Sequence, residues 1–132
     1  MTEHIASRYV TFADHEARGV SPLYESLARI VAQTAELLEL LRSLPRHKQQ
    51  PNLLFAAYRW VCGTPESPEA FRNQLLERWA EIEPVMLARS TQTNEPARCA
   101  TLLPVLSRLP QPLALLEVGA SAGLCLYPDR YA

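Results

Sequence analysis

The chain has 132 residues, of which 48% are hydrophobic and 20% are charged, and its formal net charge is −1. A charge balance so close to neutral gives no electrostatic reason to bind nucleic acid or an anionic membrane. No apolar run approaches the ~20 residues of a membrane-spanning helix, and the polar amino-terminal stretch MTEHIASRYV is unlike a signal peptide.

The cysteines and histidines are scattered along the chain. Cys62, Cys99 and Cys125 form no CxxC pair, so neither a disulfide framework nor a zinc knuckle is expected. His15-Glu16 lacks the second histidine of a metalloprotease helix, and no metal site is predicted. We interpret the cysteines as small buried residues of a cytoplasmic protein, because thiols stay reduced in that compartment.

The first part of the chain carries the periodicity of amphipathic helices. Residues 3–17 form one predicted helix, and Gly19 follows where a C-terminal cap is expected. Ser21 and Pro22 have the residue types of an N-cap and a first helical position. Thr34 either caps a third helix or lies within a longer second one, which ends at Pro45. The predicted apolar faces contain Ile5, Tyr9, Phe12, Ala13 and Glu16, then Leu23, Leu27, Ile30 and Val31, then Leu37, Leu38, Leu40, Leu41 and Leu44.

The middle of the chain predicts two further helices. A polar loop, residues 45–51, is either a solvated connection or a small basic patch facing a partner or an anion. Asn52 is the predicted cap of residues 53–62, which are apolar almost all round and therefore indicate a central helix. Ser67-Pro68 repeats the capped start, and Pro84 is expected to break or kink the helix that follows. The buried stripe predicted for that helix is Phe71, Leu75, Trp79 and Ile82.

The last predicted helix covers residues 95–109 and is capped by Asn94. Pro104 removes one of its backbone hydrogen bonds, so a bend is expected there. The side chains predicted to face inward are Cys99, Leu102, Leu103, Leu106 and Leu109.

Leu113–Gly123, reading LALLEVGASAG, has the pattern of a buried strand that ends in a turn of small residues. Three interpretations fit it. It is the nucleotide-binding turn of a Rossmann-like sheet, a nucleophile elbow in which Ser121 attacks an acyl group, or a turn without a ligand. Ser121 stands where the first interpretation expects a second glycine, and no histidine follows it as the second would favour.

A second candidate site is the polar stretch RSTQTNEP at residues 89–96, followed by Arg98. It is either an ordinary polar turn or a wall that contacts a ligand. In the second case the amides of Gln92 and Asn94 and the carboxylate of Glu95 offer donors and acceptors. Arg89 and Arg98 offer guanidinium groups for an anion.

Four blocks carry a resemblance that spans nearly the whole chain: Phe12-Ala13 with Glu16–Tyr24, then Gln50–Ala57, Arg89–Pro96 and Leu115–Leu124. They resemble an uncharacterised bacterial family, domain of unknown function 2332, whose members are longer than this chain. In that family LLEVGASAGL is similar to the first motif of S-adenosylmethionine-dependent methyltransferases. The resemblance implies that Glu117 takes the acidic position of the motif and that Gly119, Ala120, Ser121 and Gly123 line the cofactor.

Together these patterns predict a mostly α protein, an irregular bundle of about five to seven helices (residues 1–110), with a C-terminal strand and turn (residues 111–132) that begins a Rossmann-like sheet in a longer parent. The expected function is that of a methyltransferase-like protein in full length, with Arg89, Gln92, Asn94, Glu95 and Arg98 facing a small-molecule substrate. The chain alone, lacking most of the sheet, is expected to be inert and to bind no cofactor. The alternatives are a non-enzymatic helical interaction module, which could form homo-oligomers through its unpaired C-terminal strand, and a serine acyl hydrolase.

Overall fold

The computed structural model describes residues 2–91, 97–120 and 123–130. Within these ranges the chain forms seven α-helices and no β-strand. It divides into two compact units, Met1–Thr91 and Gln92–Ala132. The predicted domain boundaries, residues 1–110 and 111–132, stay a prediction.

The first unit contains six of the helices and a π-helical turn. They are α1 (Glu3–Phe12), the π-helical turn (Ala13–Ala17), α2 (Pro22–Gln33), α3 (Ala35–Arg42), α4 (Pro51–Cys62), α5 (Pro68–Glu77) and α6 (Trp79–Ala88). In this unit α1 packs on α2, α4 on α6, and α2 on α5. The second unit contains α7 (Arg98–Leu106) and two short 3-10 turns, Leu124–Leu126 and Pro128–Arg130.

The two capped helix starts are confirmed. The Ser21 hydroxyl accepts a hydrogen bond from the Tyr24 backbone N–H at 3.4 Å, and the Ser67 hydroxyl accepts one from the Ala70 N–H at 3.0 Å. A proline follows each serine at the first helical position. These caps satisfy N–H groups that a helix start leaves without an intrahelical partner.

Two other predicted starts differ in detail. The third helix does begin after Thr34, but the Thr34 hydroxyl donates to the Ile30 carbonyl at 2.6 Å and therefore closes α2 instead of capping α3. The prediction that Asn52 caps the fourth helix is wrong, since α4 already begins at Pro51 with Gln50 at the N-cap position. Proline is favoured at the first helical position, because an N–H group at that position would have no partner within the helix.

Pro84, predicted to break or kink its helix, lies within α6, and the break in the helix falls at Arg78, between α5 and α6. The Arg78 guanidinium donates to the Val61 carbonyl at 3.0 Å and pairs with Glu81 at 2.7 Å. One side chain thus ties the end of α4 to the start of α6, and the chain bends where that side chain is anchored.

The core of the first unit follows the predicted apolar faces, with one shift at the π-helical turn. The buried side chains include Ile5, Tyr9, Phe12, Leu27, Val31, Leu37, Leu41, Leu54, Phe71, Leu75 and Ile82. Glu16, predicted on the apolar face, is exposed, and Ala17 is buried in its place. A π-helix has more residues per turn than an α-helix, so the face that meets the core moves along the chain.

The second unit contradicts two predictions. Of the five side chains predicted to face inward, only Cys99 is buried, while Leu106 is half-buried and Leu102, Leu103 and Leu109 are exposed. Residues 113–117 have no regular secondary structure, so the predicted strand is not formed in the described part of the chain. Parallel strands are stabilised by neighbours in a covered sheet, and the described residues offer none. None of the described helices is both long and apolar enough to cross a membrane.

Candidate functional site

The predicted cofactor turn has a well-defined backbone at its two glycines. Gly119 has φ 76° and Gly123 has φ 72°, a left-handed conformation that residues with a Cβ adopt only with strain. The Gly123 N–H donates to the Ala120 carbonyl at 2.8 Å and closes the turn. Ser121, on which the hydrolase hypothesis depends, lies outside the described residues.

Glu117 stands immediately before this turn and is half-buried. Its Oε2 atom is buried and has no hydrogen-bond partner among the described residues. A buried carboxylate oxygen without a donor is energetically unfavourable by about 1–3 kcal/mol or more. Glu117 is therefore the side chain of the second unit that most needs a donor from a ligand or another group.

A pair of cysteines lies beside Glu117. The buried Cys99 thiol donates to the Cys125 carbonyl with a sulfur–oxygen distance of 3.8 Å. Burial raises the pKa of the Cys125 thiol, and Cys99 and Glu117 raise that pKa further while Arg98 opposes them. A thiol with a raised pKa stays protonated and is a weak nucleophile. Glu117 and Arg98, which belong to different predicted sites, thus both affect the pKa of the Cys125 thiol.

The predicted substrate-facing stretch is only partly described. Arg89 is exposed at the end of α6, and its carbonyl accepts a hydrogen bond from the Lys48 ammonium. Thr91 donates to the Gln50 side-chain oxygen at 3.2 Å. Gln92, Asn94 and Glu95 lie outside the described residues. The polar loop 45–51 therefore contacts the start of this stretch, where a cavity of about 160 Å³ lies between them.

The first unit contains a larger cavity, of about 410 Å³, between the π-helical turn, the start of α2 and α4. We call it the aromatic groove. Phe12, Tyr24 and Phe55 give it aromatic walls, with ring centroids 5.6 Å apart for Phe12–Phe55 and 5.3 Å for Tyr24–Phe55. Its polar lining includes Glu16, Asn52 and Arg59.

An ion-pair network holds the turn that forms one side of the groove. Asp14 pairs with Arg18 at 2.7 Å and with Arg29 at 2.8 Å, and Arg29 also pairs with Glu25 at 2.8 Å. Hydrogen bonds from Arg29 hold the pKa values of Asp14 and Glu25 below their usual range. Gly19, with φ 77°, lets the chain reverse between the π-helical turn and α2.

Sequence analysis missed the aromatic groove. The apolar spacing places Phe12 and Glu16 together on one core-facing side of the first predicted helix. The signal that could have found the groove is the family resemblance, since two of its blocks, Glu16–Tyr24 and Gln50–Ala57, contribute most of the lining.

Comparison with known proteins identifies the family of this helical protein but assigns it no activity. Among the described residues no three potential metal-binding side chains come together. Residues 6–132 match the family described as uncharacterized proteins conserved in bacteria, DUF2332, and the chain belongs to that family. Comparison with curated proteins gave no match, and comparison with solved structures gave none either.

Proposed function

We propose that the chain is part of a methyltransferase-like protein that binds S-adenosylmethionine, with Glu117, Gly119, Ala120, Ser121 and Gly123 at the cofactor. The observation that carries this proposal is the buried, unpartnered Oε2 atom of Glu117 directly before a turn with left-handed glycines. S-adenosylmethionine offers an ammonium group and ribose hydroxyls as donors, and it supplies a methyl group on a sulfonium centre.

The glycines support the same assignment for a steric reason. Positive φ angles at Gly119 and Gly123 let the backbone approach a ligand without a Cβ in the way. Arg98, which lies with Glu117 near Cys125, would carry positive charge toward a substrate. Arg89, Gln92, Asn94 and Glu95 belong to the same proposed substrate-facing set. In this proposal the helical residues cover a Rossmann-like domain of the longer parent.

The test is a calorimetric titration of S-adenosylmethionine into a protein that carries this chain with its natural continuation. Gly119→Ala and Glu117→Gln should each weaken binding about tenfold or more, because the first places a Cβ where the backbone approaches the cofactor and the second replaces a carboxylate acceptor by an amide. Gly63→Ala is the matched control, since Gly63 also has a positive φ, of 83°, and lies in the first unit. Absence of heat, or equal affinity in all three variants, would contradict the proposal.

The alternative is a non-enzymatic interaction module, and exposure in the second unit favours it. Leu116 and Val118 are each 93% exposed, and residues 113–117 have no regular secondary structure. A segment with exposed apolar side chains can pair with another chain's strand edge, including a second copy of itself. Concentration-dependent sedimentation of the 132-residue chain would distinguish this alternative from a cofactor-binding role.

A further inference from the structure

The aromatic groove of the first unit has the composition of a small-molecule site. Its volume of about 410 Å³ lies within the ~300–1,000 Å³ typical of ligand pockets, which combine apolar walls with a few polar groups. Tyr24 is half-buried and contributes ring surface to the groove, whereas Phe12 and Phe55 line it with only 8% and 4% of their surface exposed. The groove can therefore accept a flat apolar group of a ligand against its rings.

Two opposite charges lie in the same groove. Glu16 comes from the π-helical turn and Arg59 from the third turn of α4. Among the described residues neither charge belongs to an ion pair, although Asp14, Arg18, Glu25 and Arg29 nearby are all paired. Glu16 and Arg59 are both exposed and line the same groove, so both are available to a ligand.

Arg59 is also oriented by the groove itself. Its guanidinium donates one hydrogen bond to the Tyr24 hydroxyl at 3.3 Å. The remaining N–H groups of the guanidinium fork can bind a carboxylate through two parallel hydrogen bonds. The Tyr24 ring in turn packs against Phe55 in a tilted arrangement, so the cationic group is held at the edge of the aromatic wall.

The π-helical turn explains why Glu16 lines the groove. The Arg18 N–H bonds to the Ala13 carbonyl at 2.9 Å, five residues back, and this wider turn buries Ala17 and exposes Glu16. Such π-helical turns occur frequently at functional sites. The ion pairs of Arg18 and Arg29 fix this turn, so the Glu16 carboxylate is presented by a fixed backbone.

We propose that the aromatic groove binds an amino acid with an aromatic side chain. The ligand's carboxylate pairs with Arg59, its ammonium group pairs with Glu16, and its ring packs against Phe12, Tyr24 and Phe55. This site is independent of the cofactor turn, because every residue that carries it belongs to the first unit.

The test begins with ligands that lack one group at a time, titrated into the wild-type 132-residue chain and followed by amide chemical shifts in NMR spectra. L-phenylalanine should bind most tightly. Removing its ammonium group (3-phenylpropionate), its carboxylate (2-phenylethylamine) or its ring (L-alanine) should weaken binding about tenfold or more each, as expected for loss of a charged hydrogen bond or of ring burial.

Two variants then assign each charge. Arg59→Gln should weaken binding of L-phenylalanine and 3-phenylpropionate about tenfold and leave 2-phenylethylamine unchanged. Glu16→Gln should weaken L-phenylalanine and 2-phenylethylamine and leave 3-phenylpropionate unchanged. Arg72→Gln and Glu36→Gln, which change charges on α5 and α3 outside the groove, are the matched controls and should change nothing.

The proposal is overturned if L-phenylalanine causes no shifts at millimolar concentration. It is also overturned if 3-phenylpropionate binds as tightly as L-phenylalanine while Glu16→Gln has no effect, since the groove would then select anions. Because the first series uses only the wild-type chain, it decides the question even if a variant fails to fold. Failure here leaves the cofactor proposal untouched, because the two titrations use different ligands and different residues.

Discussion

The two units of this chain contain the same kinds of apolar residue, but they bury them to different extents. In Met1–Thr91 the leucines of α2 to α5 are largely buried, with Leu27, Leu37, Leu41, Leu54 and Leu75 each at most 1% exposed. In the second unit Leu102, Leu109, Leu115 and Leu116 are all at least 42% exposed. Apolar periodicity therefore predicts helices with inward faces in both units, whereas the described residues form a closed core in only the first.

The difference teaches that burial depends on the number of partners more than on the pattern of any one helix. Six helices give the first unit several surfaces that cover one another. The second unit has 41 residues, and its described part contains one α-helix; units near ~40 residues rarely bury enough apolar surface to fold alone. A cavity of about 720 Å³ in this unit is lined by leucines such as Leu103, Leu106 and Leu113.

The largest expected effect is the loss of a core aromatic residue from the first unit. Phe71 is fully buried, and its ring centroid lies 4.6 Å from that of Tyr58 and 5.9 Å from that of Phe55. Phe71→Ala should lower the free energy of unfolding by about 3–5 kcal/mol, measured by urea denaturation, because it removes ring contacts and leaves a cavity. Leu116→Ala in the second unit should change it by less than about 0.5 kcal/mol. Equal effects of the two substitutions would show that the second unit also has a closed core.

A smaller effect is expected on self-association. If the exposed apolar residues of the second unit form a contact between copies, Val118 becomes buried in that contact. Val118→Lys should then lower the association constant about tenfold in sedimentation experiments, because it removes that apolar side chain from the contact. Val20→Lys is the control, because Val20 is 81% exposed in the first unit. A chain that stays monomeric at all concentrations would remove the interaction-module alternative.

The smallest expected effect is the pH dependence contributed by the ion pairs of the first unit. Because Arg29 lowers the pKa values of folded Asp14 and Glu25, their stabilising effect is complete above their unfolded pKa values of ~3.9–4.3. This stabilisation is lost as the pH falls through the lower pKa values that Asp14 and Glu25 have in the folded state. The free energy of unfolding should therefore decrease on acidification below about pH 4, and Arg29→Gln should reduce that decrease.

Salt screening keeps this effect small, since the Asp14 and Arg29 side chains are 31% and 34% exposed. Arg42→Gln, which removes an exposed pair with Glu39 on α3, is the control and should leave the acid profile unchanged. If Arg29→Gln behaves like this control, the network does not stabilise the turn beside the aromatic groove.

Much of the first unit could be predicted because its signals are local. Ser21-Pro22 and Ser67-Pro68 begin helices through hydrogen bonds within one turn, and apolar spacing marks the buried faces of α1 to α5. The break at Arg78 could not be predicted in this way, since it depends on the Val61 carbonyl, 17 residues away in the chain. The exposure of Glu16 depends on a π-helical turn, which the spacing of apolar residues does not predict.

The candidate sites divide along the same line. Gly119 and Gly123 were identifiable from sequence because a left-handed turn favours one residue type. The aromatic groove was not identifiable from sequence, because Glu16 and Arg59 are 43 positions apart. They line one cavity only in the folded chain. The family resemblance marks the two blocks, Glu16–Tyr24 and Gln50–Ala57, but it does not indicate that they line one cavity.

The sequence by itself determined the helical class, the capped helix starts and the family, since caps, periodicity and family blocks are written in neighbouring residues. The tertiary structure alone decided which apolar faces are covered, where α5 ends, and which charges share a cavity with which rings. The physical reason is that hydrogen bonds within a turn involve residues close in the chain, whereas burial and ion pairing depend on surfaces that only packing brings together.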